Sequence, residues 1–262
     1  MLRPHLYSGL LPSRCLVRIS DGVFVSSPEF CFLQAAAKLP LVKVIELGFE
    51  LCGTYAKTEY AAVSSDNALV EMDPYHREQL TSVRKLSAFI ERIEGVAGKI
   101  HAFQALRYIV DGSASPRETA LVMLLVLPYK LGGYGLPMPE LNFPINPNKL
   151  GKQYTGKSSF SCDLYWPKAR EAVEYNSDEF HSKVKEKADD SLRRNVLTTM
   201  GVKVINVDNE QIKNRIQLEG TANQLASNLG KPLRYRRNPK FSQAQQELRK
   251  MLLQPPASDS WK

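Results

Sequence analysis

CDLYWPKAREAVEYNSDEFH, residues 162–181, reads as two short strands joined by a tight turn at Pro167. Asp163 lies on the first strand, Glu174 at the end of the second, and His181 just beyond. In the first, Phe160, Cys162, Leu164 and Trp166 alternate with Ser161, Asp163 and Tyr165. The period of two sends the first set to the core and Asp163 to the other face. In the second, residues 170–175, one face carries Ala172, Glu174 and Asn176, and the other Val173 and Tyr175. A buried unpaired carboxylate costs several kcal/mol, so a divalent metal is the first candidate partner for Asp163 and Glu174.

The flanking segments supply a frame for this pair. Upstream, Ser115-Pro116-Arg117-Glu118 has the spacing of a capping box that opens an apolar helix through Leu127. A loop over 131–137 follows, where Gly132, Gly133 and Gly135 permit a sharp reversal. Residues 141–145 form a short strand that Pro144 assigns to an edge or end. The polar, lysine-bearing run 146–158 reads as the turn of a hairpin. Downstream, a helix from about Ser182 carries Val184, Ala188, Leu192, Val196 and Met200 as its apolar stripe and stops at Gly201. Asp189 with Arg193 and Asp190 with Arg194 are i,i+4 pairs on its polar side. Residues 202–207 form a fourth strand, and Asp208 caps another helix. The segment 231–240 is a basic loop around Tyr235, residues 242–253 form the last helix, and the tail from 254 is expected to fray.

The N-terminal half has a different character. Residues 16–25 show a hairpin signal around Asp21-Gly22. Ser26-Ser27-Pro28-Glu29 then opens a helix that Pro40 ends, and 41–52 is a second amphipathic helix stopped at Gly53. Residues 55–75 are ambiguous, with turns at 64–67 and 73–74. Helical faces recur over 81–93 and from Ile100 to Val110. His76 and His101 lack other ligand-type residues at metal spacing and read as structural or surface residues.

Charge separates the two halves more sharply than hydropathy does. The net charge is +8, yet residues 1–114 hold 12 Lys and Arg against 12 Asp and Glu, and residues 115–262 hold 23 against 15. The basic excess therefore lies wholly in the second half, and a polyanion such as DNA is the partner it implies. Together with the break at Asp111-Gly112, this divides the chain into a mainly helical unit over 1–112 and a second over 113–262. At 262 residues and 43% hydrophobic composition, extended disorder is excluded. The four cysteines are widely spaced, which argues against a zinc site or a disulfide framework. No apolar run reaches the roughly 18 residues of a membrane span, so a cytoplasmic protein without membrane contact is expected.

The order helix, strand, strand, strand, helix, strand over 115–207, with acids on the helix and the middle two strands, resembles the PD-(D/E)XK nuclease core, an α/β fold around a central mixed sheet. More closely, the chain is similar to bacterial proteins with an endonuclease domain related to the very-short-patch-repair endonuclease. The residues carrying the likeness are Ser115-Pro116-x-Glu118, Gly135-Leu136-Pro137-x-Pro139, Cys162-Asp163-Leu164-x-Trp166-Pro167, Val173-Glu174-Tyr175, His181, Asp189 or Asp190 with Arg193-Arg194, and Gly201-x-x-Val204. It covers roughly residues 115–213. The N-terminal half resembles the region that precedes this domain in such proteins, including relatives of the AbiEi-type antitoxin family, through Val23-Phe24-Val25-Ser26-Ser27-Pro28. A winged-helix module often stands before that region, and this chain is expected to start after it or to keep a remnant.

The resemblance implies a metal-dependent endonuclease or nickase acting on DNA in defence, mobile-element or repair contexts. Asp163 would ligate Mg²⁺ or Mn²⁺, Glu174 would complete the shell, Glu118 would act through water, and His181 would handle a proton. Asp189 completes the acidic set. Lys183, Lys185, Lys187, Arg193, Arg194, Arg234, Arg236 and Arg237 would hold the phosphate backbone. Several of these have a second reading: Glu118 as a capping residue, Asp189 with Arg193 as a solvated helix pair, His181 as a loop residue. The departure from the pattern is Asn176, where the superfamily commonly has a lysine and the similar endonuclease proteins an aspartate. Asparagine cannot act as a base but can offer a carbonyl oxygen. The alternative is therefore a non-catalytic DNA-binding or antitoxin-like regulator that keeps the fold, with a protein partner on the N-terminal unit.

Overall fold

A computed structural model describes residues 11–57, 60–63, 69–72, 77–176, 184–235 and 239–253, and for 60–63, 69–72 and 184–190 the backbone alone. The N-terminal hairpin pairs β1 (Leu16–Ser20) with β2 (Val23–Ser26) around a left-handed Gly22. Ser27 caps α1 (Pro28–Ala36) by accepting from the Phe30 N–H. Then come α2 (Leu41–Leu51), a second hairpin of β3 (Tyr60–Val63) and β4 (Leu69–Met72), α3 (Val83–Glu91) and α4 (Lys99–Leu106). The ambiguous stretch is thus a hairpin in part. His101 donates from Nδ1 to the Ala36 carbonyl, 2.8 Å away, which is a structural role; His76 lies outside the described residues.

The second half is built on α5 (Pro116–Val126), whose residues from Glu118 to Val126 are all buried. A helix apolar on every side must be packed on every side. The chain leaves it through a close reversal in which the ideal Cβ position of Gly133 falls 2.2 Å from the Leu127 carbonyl oxygen, so only glycine fits. Next come β5 (Glu140–Ile145), α6 (Lys149–Thr155), β6 (Phe160–Trp166), β7 (Glu171–Asn176), α7 (Val184–Thr199) and β8 (Lys203–Asp208). They form a mixed sheet in the order β5-β6-β7-β8, antiparallel except for the parallel pair β7–β8. A parallel pair needs a crossover, and α7 provides it. The capping box at Asp208 opens α8 (Asn209–Lys213), followed by α9 (Arg215–Asn228) and α10 (Phe241–Leu253).

One apolar core runs across residue 112. It joins Phe32, Ile45, Phe49, Leu86 and Ile90 to Leu121 and Leu124 of α5, to Leu164, Trp166, Val173 and Val207 on one face of the sheet, and to Leu248 of α10. A second, smaller core lies between the sheet's other face and α7, with Ile145, Phe160, Cys162, Tyr165, Ala172, Val196 and Leu197. The chain is therefore an α/β protein whose mixed sheet is covered on both faces.

Three sequence expectations need correction. The run 146–158 does connect an antiparallel pair, but it contains α6, capped by Asn148 and closed by a left-handed Gly156. The β6 alternation does not divide core from solvent, because both faces are covered. Phe160 and Cys162 join the α7 core, Leu164 and Trp166 the α5 core, and Tyr165 is buried as well. The stripe on α7 is shifted: Leu192 is 40% exposed, and Val196 and Leu197 carry the packing. The loop around Tyr235 holds that ring buried against Tyr134 and Phe241.

Candidate active site

Glu118, Asp163 and Glu174 come together where β6 and β7 part. The ladder between these strands ends at Leu164↔Val173. Beyond it the Tyr175 N–H donates to Oδ2 of Asp163 at 2.7 Å, so a side chain takes the bond that a continued ladder would have made. Glu174 is the next inward residue on β7, and Glu118 approaches from the first turn of α5. Both glutamates are buried, at 6% and 8% exposure.

The three carboxylates destabilise one another's charge. Burial and then the charge of Asp163 push Glu118 up to about 7, and the same two causes push Glu174 up to about 7. Asp163 is raised by burial, against the pull of the Tyr175 N–H and Arg193. Carboxylates held this way at neutral pH have a deficit of positive charge, which is the condition that favours cation uptake.

Glu174 meets part of that deficit within the protein. Arg193 Nη2 lies 2.9 Å from both Oε1 and Oε2 of Glu174, and also donates to the Ser161 carbonyl. Desolvation lowers the Arg193 pKa, but the charge and hydrogen bond of Glu174, together with Cys162 and Asp163, raise it above its ordinary value. Its position follows from the shifted stripe: Arg193 stands three and four residues before Val196 and Leu197, on the face that meets the sheet. Expected on a phosphate, this guanidinium is turned inward.

Glu118 is held differently. Its N–H donates to Ser115 Oγ as a cap requires, but its Oε2 accepts from the Ala114 N–H at 2.9 Å and from Asn142 Nδ2 at 3.0 Å. The Ser115 hydroxyl also stabilises the Glu118 carboxylate, and Oδ1 of Asp163 has no hydrogen-bond partner among the described residues. No group of three or more His, Cys, Asp or Glu stands in metal-holding arrangement among the described residues. The fit is instead to an ion taking one or two carboxylates and keeping its waters, as Mg²⁺ does.

Other expected positions are placed less centrally. Asn176 is exposed at the end of β7, in register with Asp208. Arg194 and Arg234 are exposed. His181, Lys183, Arg236 and Arg237 lie outside the described residues, as do the side chains of Lys185, Lys187 and Asp189. Sequence reasoning missed Asn142, whose one signal was a poor strand former inside a strand. It also missed Glu171, fully buried at the start of β7, with Oε1 bonded to Asn228 and burial raising its pKa.

A pH test follows from Glu118. Its folded pKa of about 7 lies above the ordinary 4.5, so between those values the folded state keeps a proton that the unfolded state has lost. Stability falls as pH rises through this window, and the full cost is present above 7. Glu118→Gln keeps an acceptor oxygen without the charge. Chemical denaturation should show this variant gaining roughly 2–3 kcal/mol on the parent between pH 4.5 and 8. A difference that stays flat with pH would exclude the buried charge.

Comparison with known proteins adds little to this geometry. No family model matches the chain, and no solved structure matches it. Two uncharacterised proteins of Mycobacterium tuberculosis, from strains H37Rv and CDC 1551, are each 28% identical over 141 residues. The match takes in 53% of this chain and 46% of theirs, so the chain spans about half the length of the curated relatives it matches. Among the described residues, no helix is long and apolar enough to cross a membrane.

Proposed function

We propose that the chain hydrolyses phosphodiester bonds in DNA with a divalent metal, Mg²⁺ or Mn²⁺, on a PD-(D/E)XK-like core related to the very-short-patch-repair endonucleases. The observation that carries the reading is the convergence of Glu118 and Glu174 on Asp163 at the β6–β7 fork. The element order α5, β5, β6, β7, α7, β8 supports the core assignment, α6 being an insertion between β5 and β6. The basic excess in residues 115–262 supports a polyanionic substrate.

In this reading Asp163 and Glu118 hold the cation, which would neutralise charge developing on the attacked phosphate. Glu174, paired to Arg193, shapes the wall of the site, and the Tyr175 N–H keeps Asp163 oriented. His181 is the group of the sequence set able to carry the proton of water or leaving group. Arg194 and Arg234 are exposed cations free to meet the phosphate backbone. The test is incubation of supercoiled plasmid with the full chain and Mg²⁺ or Mn²⁺, with single-stranded DNA in parallel. Metal-dependent nicks or breaks are expected, and intact DNA under all conditions would sink the proposal.

A second reading has its own observation. Arg193 already neutralises Glu174, and Asn176 does not enter the site, which fits a protein that keeps the fold for DNA binding or regulation. The hairpin β1–β2 exposes Leu16, Val17, Ile19, Val23, Phe24 and Val25, which fits a protein partner on the N-terminal half. Salt-dependent DNA binding without cleavage would favour it.

A further inference from the structure

Two glutamates flank Asp163, and they are held in opposite ways. Glu174 is given a cation by the protein itself, through both of its oxygens. Glu118 receives neutral donors only: the Ala114 N–H and the Asn142 amide, both on Oε2, and the Ser115 hydroxyl. Neutral donors fix a carboxylate without cancelling its charge, so Glu118 keeps its attraction for an external cation.

Asn142 is placed for this task at the expense of regular backbone. It lies inside β5 with φ 46°, in the left-handed region that L residues avoid and that asparagine tolerates better than most. The register is intact on either side, with Leu141↔Leu164 and Phe143↔Cys162, so the excursion is confined to the one residue across from Asp163. It moves the following side chain to the other face of the sheet. Leu141 packs on the α5 core, while Phe143 stacks on Tyr165 at 5.1 Å in the α7 core. The amide then has both N–H groups engaged, one on the Gly112 carbonyl at 2.8 Å and one on Glu118 Oε2 at 3.0 Å. Unusual backbone that persists next to a cluster of acids is a mark of a functional constraint.

We propose that Asn142 is the positioning residue of the Glu118–Asp163 pair, holding Glu118 by Oε2 in the orientation that takes a divalent cation. This rests on the cation-site reading above. Asn142→Gly is the informative variant, because glycine adopts φ 46° freely and the substitution removes the side chain while sparing the backbone. Mn²⁺ binding to the full chain is measured by calorimetry for the parent, Asn142→Gly, Glu118→Gln and the double variant, with melting temperatures confirming that each is folded. The parent should bind Mn²⁺, each single variant should bind at least about tenfold more weakly, and the double should be no weaker than Glu118→Gln alone. Such non-additivity marks action through Glu118, which a general loosening of the fold would not produce. Parent-like binding by Asn142→Gly, or losses that multiply in the double variant, would overturn the role of Asn142 and leave the cation site standing. A parent chain that takes up no Mn²⁺ at millimolar concentration would remove the cation site and this proposal together.

Discussion

Asp163→Asn should abolish metal-dependent cleavage of plasmid DNA, by at least about 10³-fold, or ~4 kcal/mol of transition-state stabilisation, while the protein stays folded. Asparagine retains a carbonyl oxygen for the Tyr175 N–H, so the contact that closes the β6–β7 fork survives. What disappears is the charge that raises both Glu118 and Glu174. In the absence of metal the variant should therefore melt at or above the parent temperature at pH 8. Loss of activity with unchanged or higher stability separates a site residue from a structural one. Cleavage retained at the parent rate would remove Asp163 from the site, and a lower melting temperature would show that its carboxylate is structural.

Arg193→Met should have the largest effect on stability. The guanidinium is partly exposed but Glu174 is not, and removing the cation leaves a buried carboxylate beside Asp163 with no compensating charge. Breaking a buried pair from one side costs several kcal/mol; with solvent reaching the Arg193 side, about 3 kcal/mol is expected at pH 8, a fall of roughly 6–12 °C in Tm for a chain of this size. Adding Glu174→Gln to Arg193→Met should recover much of the loss, because the stranded charge is then gone. If Arg193→Met melts with the parent, the ion pair contributes nothing, and Arg193 returns to the set of phosphate-binding candidates.

The contrast between these two substitutions shows how far the sequence could be read. Asp163 and Glu174 were legible because carboxylates in apolar strands demand a partner, and Glu118 because a serine cap three residues before it announces a helix start. Their convergence was an expectation of the family resemblance, not something the residue pattern itself showed. It depends on the ladder ending at Leu164↔Val173, and nothing in the alternation of residues 160–166 marks that point. Arg193 was read as polar surface because the i+4 stripe was drawn through Leu192; a stripe through Val196 and Leu197 turns Arg193 toward the sheet.

By itself the sequence determined most element types outside 55–75 and 146–158, the hairpin at Asp21-Gly22, the caps at Ser27, Ser115 and Asp208, the edge position of the strand holding Pro144, and the concentration of basic charge in the second half. Each follows from local chemistry: turn conformations, cap hydrogen bonds, a missing N–H. Tertiary structure alone decided which faces are buried, that Arg193 neutralises Glu174, and that Asn142 ties Glu118 to β5. Those outcomes depend on residues 19, 24 and 30 positions apart in the chain. No local pattern encodes such separations, because the free energy of a buried charge depends on what the fold packs against it.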